Sequence, residues 1–190
     1  MLSARALLDL AGLQGAERLG IERRHRPSSV VLPNGAVLRD QAPMPPAALA
    51  RCLMGMAAED WYALLNSKVF FWLDADRLNR QRRAGGTPRR AVVMIIDAER
   101  LLTKHGEGAA LSPINSGYAL RRPAPRGRGT FVPYARWLDD AWASEAAALG
   151  TRARPRSHRP AELTVADGVP DVMAFVASLR RLAPNEPFTP

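Results

Sequence analysis

The chain has 190 residues, 47% hydrophobic and 24% charged, which suits one globular domain with a sizeable core and excludes wholesale disorder. No apolar run approaches membrane-spanning length, no signal-peptide layout is visible, and the single Cys52 cannot form an internal disulfide. No membrane partner is therefore expected, and the cytoplasm is the expected compartment.

The formal charge of +9 rests almost wholly on arginine, since Lys68 and Lys104 are the only lysines. It either reflects a genome's base composition or biases the chain toward polyanions, whose phosphates suit the planar guanidinium fork.

Ser3 can cap a short helix, Ala4 to Leu10, with Gly12 just beyond it. Glu22-Arg-Arg-His-Arg26 reads as a solvated loop or helix end, with His25 an exposed titrating group. Val30–Leu32 and Ala36–Leu38 flank Asn34-Gly35, a strong hairpin signal. Arg39-Asp40-Gln41 leaves the second strand either as turn chemistry or as groups projecting into a pocket. Pro45-Pro46 open a helix running to Met56.

Acidic Glu59 and Asp60 precede Trp61–Leu65, as at the positive end of a helix. Asn66-Ser67 breaks that pattern, and Val69–Leu73 is an apolar, aromatic and β-branched run of strand length. Asp74 then caps a helix carrying Arg77 and Arg80. Gln81 to Arg90 reads as a flexible basic loop, Ala91–Ile96 as a buried strand and Ala98–Lys104 as a helix.

Ser112 to Gly117 is a polar turn with special backbone needs. Arg121 to Arg128 has no apolar periodicity and reads as an exposed basic loop, and Phe131–Tyr134 as a short strand. Ala135–Leu149 has the spacing of one helix, ended by Gly150. Thr151–Pro160 is another basic loop, and Ala161–Val165 a strand. Val172, Phe175, Val176, Leu179 and Leu182 recur at helical spacing, which predicts a last helix over 172–182 capped by Asp171. Residues 1–182 read as a single domain and 183–190 as a tail.

Common site chemistries find little support. Three dispersed His and one Cys make no metal-ligand set. There is no Ser in a glycine-flanked elbow, and no phosphate-binding glycine loop. Glu162 stands out, because a carboxylate inside a strand is uncommon unless it faces water or a ligand. Taken alone, it reads as an outward-facing residue on an edge strand.

Four stretches carry a resemblance: Val37-Leu-Arg-Asp-Gln41, Glu59–Arg77, Leu111–Gly117 and Ala161–Pro170. Together they resemble a family of bacterial proteins labelled domain of unknown function 7002, over nearly the whole chain from Leu2 to about Leu182. The last motif is similar, more weakly, to the closing strand of the DarT-like DNA ADP-ribosyltransferases, where a Glu precedes a short apolar strand and a Val-Pro.

This second resemblance implies an α+β fold, an ADP-ribosyltransferase-like split, mostly antiparallel sheet with packed helices, and NAD as substrate. Glu162 would be the catalytic carboxylate, stabilising the positive charge that grows as the nicotinamide–ribose bond breaks. Phe70 or Trp72 would wall the nicotinamide, Arg77 would meet the pyrophosphate, and Asn115 would offer amide hydrogen bonds. Asn66, at the end of a buried strand, joins these as a cofactor-binding candidate. The expected acceptor is nucleic acid, reached through Arg121, Arg122, Arg126, Arg128, Arg154 and Arg156.

One departure matters. The His-bearing transferases hold NAD with a first-strand His, and members of the resembled family carry a Tyr-His strand upstream of the Ser that matches Ser3. In this sequence nothing precedes Met1, so either the start is assigned too late or that strand is lost. The rival reading is a non-catalytic basic module that binds nucleic acid or a nucleotide. A third is a protein partner in a toxin–antitoxin or stress system.

Overall fold

Every strand pairing in the named sheets is antiparallel, and the strands fall into separate groups. The computed structural model describes residues 1–84 and 89–190. A short hairpin, β1 (Val30–Val31) and β2 (Val37–Leu38), forms around Asn34-Gly35, with Gly35 at φ 81° where an L-residue would be strained. The main sheet has the order β3-β7-β5-β6, from β3 (Lys68–Trp72), β5 (Ala109–Ser112), β6 (Val132–Pro133) and β7 (Glu162–Ala166). A separate ribbon pairs β4 (Ala91–Ile96) with β8 (Val176–Leu182). With the helices packed around these strands, the fold is α+β.

The main sheet is covered on both faces, and side-chain alternation sorts its residues between two cores. Phe71, Leu111, Leu163 and Val165 join Leu101, Trp142, Val169 and Phe175 on one side. Phe70 and Ala110 join Leu49, Trp61, Tyr62 and Phe131 on the other. A third cluster, Leu8, Leu13, Leu32 and Leu38, packs the N-terminal helices α1 (Ala4–Leu10) and α2 (Gly15–Glu22) on the hairpin. Ser3 caps α1 as its position predicts, its hydroxyl accepting from the Ala6 N–H at 3.1 Å.

Several expectations are corrected. The helix opened by the prolines is one turn, α3 (Pro46–Leu49), followed by α4 (Ala58–Asn66). The expected 135–149 helix is two, α7 (Tyr134–Asp140) and α8 (Ala143–Leu149), broken at Ala141 with φ 53°. The break leaves Trp137 and Trp142 edge to face at 6.0 Å, and Trp142 donates its Nε1–H to the His158 carbonyl.

The expected last helix is a single 3₁₀ turn, Val172–Phe175, running into β8. Residues 172 and 175 are buried in either geometry, so their spacing could not distinguish the two. The backbone of β4 needs a pairing partner, and residues 176–182 supply it. The run 22–26 is a helix end, as one of its readings had it, but only partly solvated. Arg24 is exposed, Glu22 and Arg26 are buried, and His25 is half-buried with its Nε2 3.0 Å from the Gln41 carbonyl oxygen.

Helix α5 (Ala75–Ala84) begins at Asp74, whose carboxylate accepts from the Arg77 N–H at 2.7 Å, and takes in the first four residues of the expected loop, Gln81 to Ala84. It buries none of its residues. Instead it grips the tail: Asn79 and Phe188 exchange two hydrogen bonds, at 2.7 and 2.8 Å, and Arg82 donates to the carbonyls of Ala183 and Glu186. Of the rest of the basic segment, 85–88 lie outside the described residues, and Arg89 and Arg90 are exposed without regular structure.

Candidate functional site

Strand register brings most of the sequence-derived candidates to one end of the main sheet. Trp72 of β3 and Ser112 of β5 flank Glu162 of β7 in one row. Phe70, Thr164 and Ala110 form the next row on the same face. Just past β5, the turn 112–117 folds over Glu162. Ser116 donates its N–H to both carboxylate oxygens at 3.2 Å and its hydroxyl to Oε2 at 2.8 Å.

The turn holds itself through side chains rather than unusual dihedrals. The Ser112 hydroxyl donates to the Ile114 carbonyl, and Asn115 Oδ1 accepts from the Gly117 N–H. None of its residues has positive φ, which corrects the expectation of special backbone needs.

Glu162 is 4% exposed, on the central strand β7 rather than an edge. Burial pushes its pKa up to about 7, against the lowering pull of the Ser116 hydrogen bonds and the nearby charges of Arg77 and Arg126. The carboxyl therefore titrates near neutrality, the range that suits acid–base work.

Arg126 is 2% exposed and cannot reach a phosphate on the surface, so its expected nucleic-acid role is corrected. Its backbone pairs with Cys52 and Met54 at 2.8 Å, its Nη1 donates to the Ser116 carbonyl at 3.1 Å, and its guanidinium lies 5.9 Å over the Trp61 ring. Burial lowers its pKa, partly offset by Cys52 and Glu162. One arginine thus braces the same Ser116 that clamps Glu162. Within the expected exposed loop, Arg126 and Gly127 are buried while Arg128 stays exposed. A Cβ on Gly127 would meet the Met54 carbonyl oxygen at 2.6 Å, and one on Gly129 would meet Ala148 Cβ at 2.4 Å.

The other candidates separate. Trp72 and Arg77 are half-buried beside Glu162. Trp72 donates its Nε1–H to Gln81 at 2.9 Å, and Arg77 pairs with Asp74 at the same distance. Phe70 packs edge-on to Phe131 at 6.3 Å. Asn66 does not join the site: it donates to the Glu22 carbonyl at 2.7 Å and accepts from Arg26 at 3.1 Å, which occupies its amide in tying α4 to α2. Arg121, Arg122, Arg128 and Arg156 are exposed, and Arg154 is half-buried against Glu145 at 3.3 Å.

A second concentration of charge was only partly legible. An open cleft of about 680 Å³ gathers Arg39, Arg82, Arg83, Arg89 and Arg90 with Asp40 and Glu186. The arginines of the first basic loop were visible in sequence, but Arg39 and the tail were not linked to them. The Arg39-Asp40-Gln41 corner satisfies both of its readings. Gln41 turns inward onto Arg26, while Arg39 and Asp40 line the cleft.

Among the described residues no group of three or more His, Cys, Asp or Glu could hold a metal, and no helix is long and apolar enough to cross a membrane. Fold and site define an α+β protein with a buried, clamped carboxylate at a sheet end and an arginine-lined cleft nearby. The chain belongs to a family of unknown function, DUF7002, whose model matches residues 1–176. No curated protein and no solved structure matches it, so the likeness to ADP-ribosyltransferases rests on the sequence motif alone.

Proposed function

We propose that the protein is an ADP-ribosyltransferase-like enzyme that uses NAD, with Glu162 as the group that stabilises the breaking nicotinamide–ribose bond. One observation carries this reading: Glu162 sits in register with Trp72 at a sheet end, beside Arg77 and the Asn115 turn, rather than on a solvated edge. Trp72 offers a ring face to nicotinamide, Arg77 a guanidinium to a phosphate, and Asn115 an amide. The negative charge of Glu162 would act chiefly in the transition state, where positive charge develops on the ribose.

In this reading the Ser116 turn covers the carboxylate at rest, and substrate entry requires the turn to lift. NAD turnover should fall at least about a hundredfold in Glu162→Gln, the scale of one preorganised electrostatic partner. Equal turnover in both proteins would remove the assignment.

A second reading, a non-catalytic basic module for nucleic acid, is favoured by the exposed Arg121, Arg122, Arg128 and Arg156. Its signature is affinity that falls steeply with salt. Binding that is undetectable or independent of salt, for single- and double-stranded DNA and RNA alike, would exclude it.

A further inference from the structure

We infer that the cleft between α5, the β1–β2 corner and the C-terminal tail is a binding site for a small molecule carrying two or more linked phosphates, such as a nucleoside diphosphate. Arg39 at the end of the hairpin and Arg82, Arg83, Arg89 and Arg90 of the basic segment line it. Against them stand two carboxylates, Asp40 and Glu186, and both already accept local backbone N–H groups. Asp40 accepts from Ala42 at 3.2 Å, and Glu186 from Ala183 at 2.7 Å. Among the described residues none of the five guanidinia forms an ion pair.

Arg82 is spent on the tail carbonyls and Arg83 Nε on its own helix, at Asn79. Arg39, Arg89 and Arg90 are exposed and face the cleft with their forks free of side-chain carboxylates. Like charges gathered this closely repel one another, and an anion relieves that cost. A guanidinium fork matches phosphate oxygens two at a time, and the larger negative charge of two linked phosphates offsets three unpaired forks better than a single phosphate does.

The cleft volume falls within the range of roughly 300–1,000 Å³ typical of small-molecule sites. Ser29 and Asn185 add neutral donors and acceptors for a sugar or base, while the Asn79 amide is engaged with Phe188. Enclosure on one side by the tail favours a compact ligand over a continuous nucleic-acid strand. Gln81 links the two regions, lining the cleft while accepting the Trp72 Nε1–H. No residue assigned to the Glu162 site or to the outer arginine loops lines the cleft, so the inference rests on neither reading.

The test uses the full chain in sulfate- and phosphate-free buffer, with ADP, inorganic pyrophosphate, AMP, adenosine and a 20-nucleotide single-stranded DNA as probes. ADP and pyrophosphate are expected to bind and to raise Tm by at least about 3 °C at saturation. AMP should bind at least about tenfold more weakly than ADP, and adenosine not measurably.

The triple variant Arg39→Gln, Arg89→Gln, Arg90→Gln should lose at least about tenfold in ADP affinity. Its unliganded Tm should be unchanged or raised, because repulsion is relieved. Arg77→Gln should bind ADP as wild type does, because Arg77 would meet the pyrophosphate in the catalytic reading and does not line this cleft, which separates the two sites. The inference is overturned if ADP binds no more tightly than AMP, if the triple variant keeps its affinity, or if the DNA strand binds but ADP does not displace it.

Discussion

The two ends of helix α5 carry charge under opposite conditions. At its start, Arg77 stands beside a carboxylate that has left water and that the Ser116 N–H and hydroxyl hold. At its end, Arg82 and Arg83 open onto a cleft whose positive charge the protein leaves largely unmatched. Buried charge must be satisfied internally or neutralised, because desolvation is costly. Charge at an open cleft is tolerated by water and is available to an external anion. The comparison teaches where to look for stability and where to look for ligand, and it can be broken experimentally at each end.

The largest effect is expected from the interior. Arg126→Ala should destabilise the fold by about 3–5 kcal/mol in urea unfolding, because it strips a buried guanidinium from Ser116 and leaves Glu162 less compensated. A loss below about 1 kcal/mol would mean that this network is not a buried electrostatic unit.

The pH dependence comes next. Glu162 holds its proton more tightly in the folded chain, with a pKa of about 7 against an ordinary 4.5. Folding is therefore favoured by protonation, and the contribution is fully present below about pH 4.5. Stability should fall as pH rises through about 7, by roughly 3 kcal/mol in total. Glu162→Gln should flatten that slope. A wild-type stability that rises between pH 5 and 8 would contradict it.

A steric test of the same region is somewhat smaller. Gly129→Ala puts a Cβ 2.4 Å from Ala148 Cβ, and the overpacking should cost about 1–3 kcal/mol by thermal unfolding. An unchanged Tm would show that α8 can yield there. The smallest effect belongs to the exposed surface. Arg152→Ala, in a loop without regular structure, should change stability by less than about 0.5 kcal/mol. A larger loss would mean that the outer arginines are structural after all.

Local signals carried much of the fold into the sequence. Ser3, Asp74 and Asp97 mark helix starts through their own side chains, and Asn34-Gly35 marks the hairpin, because caps and turns are decided within a few residues. Spacing failed where two geometries bury the same positions. Val172 and Phe175 look alike in a helix and in a 3₁₀ turn entering a strand, and only the unmet hydrogen bonds of β4 decide between them.

Composition misled at Arg126 and Arg26. Each stands in an arginine-rich run that reads as surface, yet each is buried by contacts made far along the chain. The candidate site was legible in Glu162, Trp72, Arg77 and Asn115, which register or a single turn brings together. Asn66 was not separable from them in sequence, because its partners Glu22 and Arg26 lie some forty residues earlier.

The ribbon β4–β8 has a consequence for how the molecule breathes. A two-stranded sheet is marginal by itself, and this one leaves Val92, Met94 and Leu179 exposed while its neighbour α5 buries nothing. Ribbon, α5 and tail should therefore open together at a lower free energy than the main sheet, and their amides should exchange with solvent well before those of β5 and β7. The arginine cleft is walled by this looser unit. A bound anion would then show itself first as slowed exchange along α5 and the tail, with the core left unchanged.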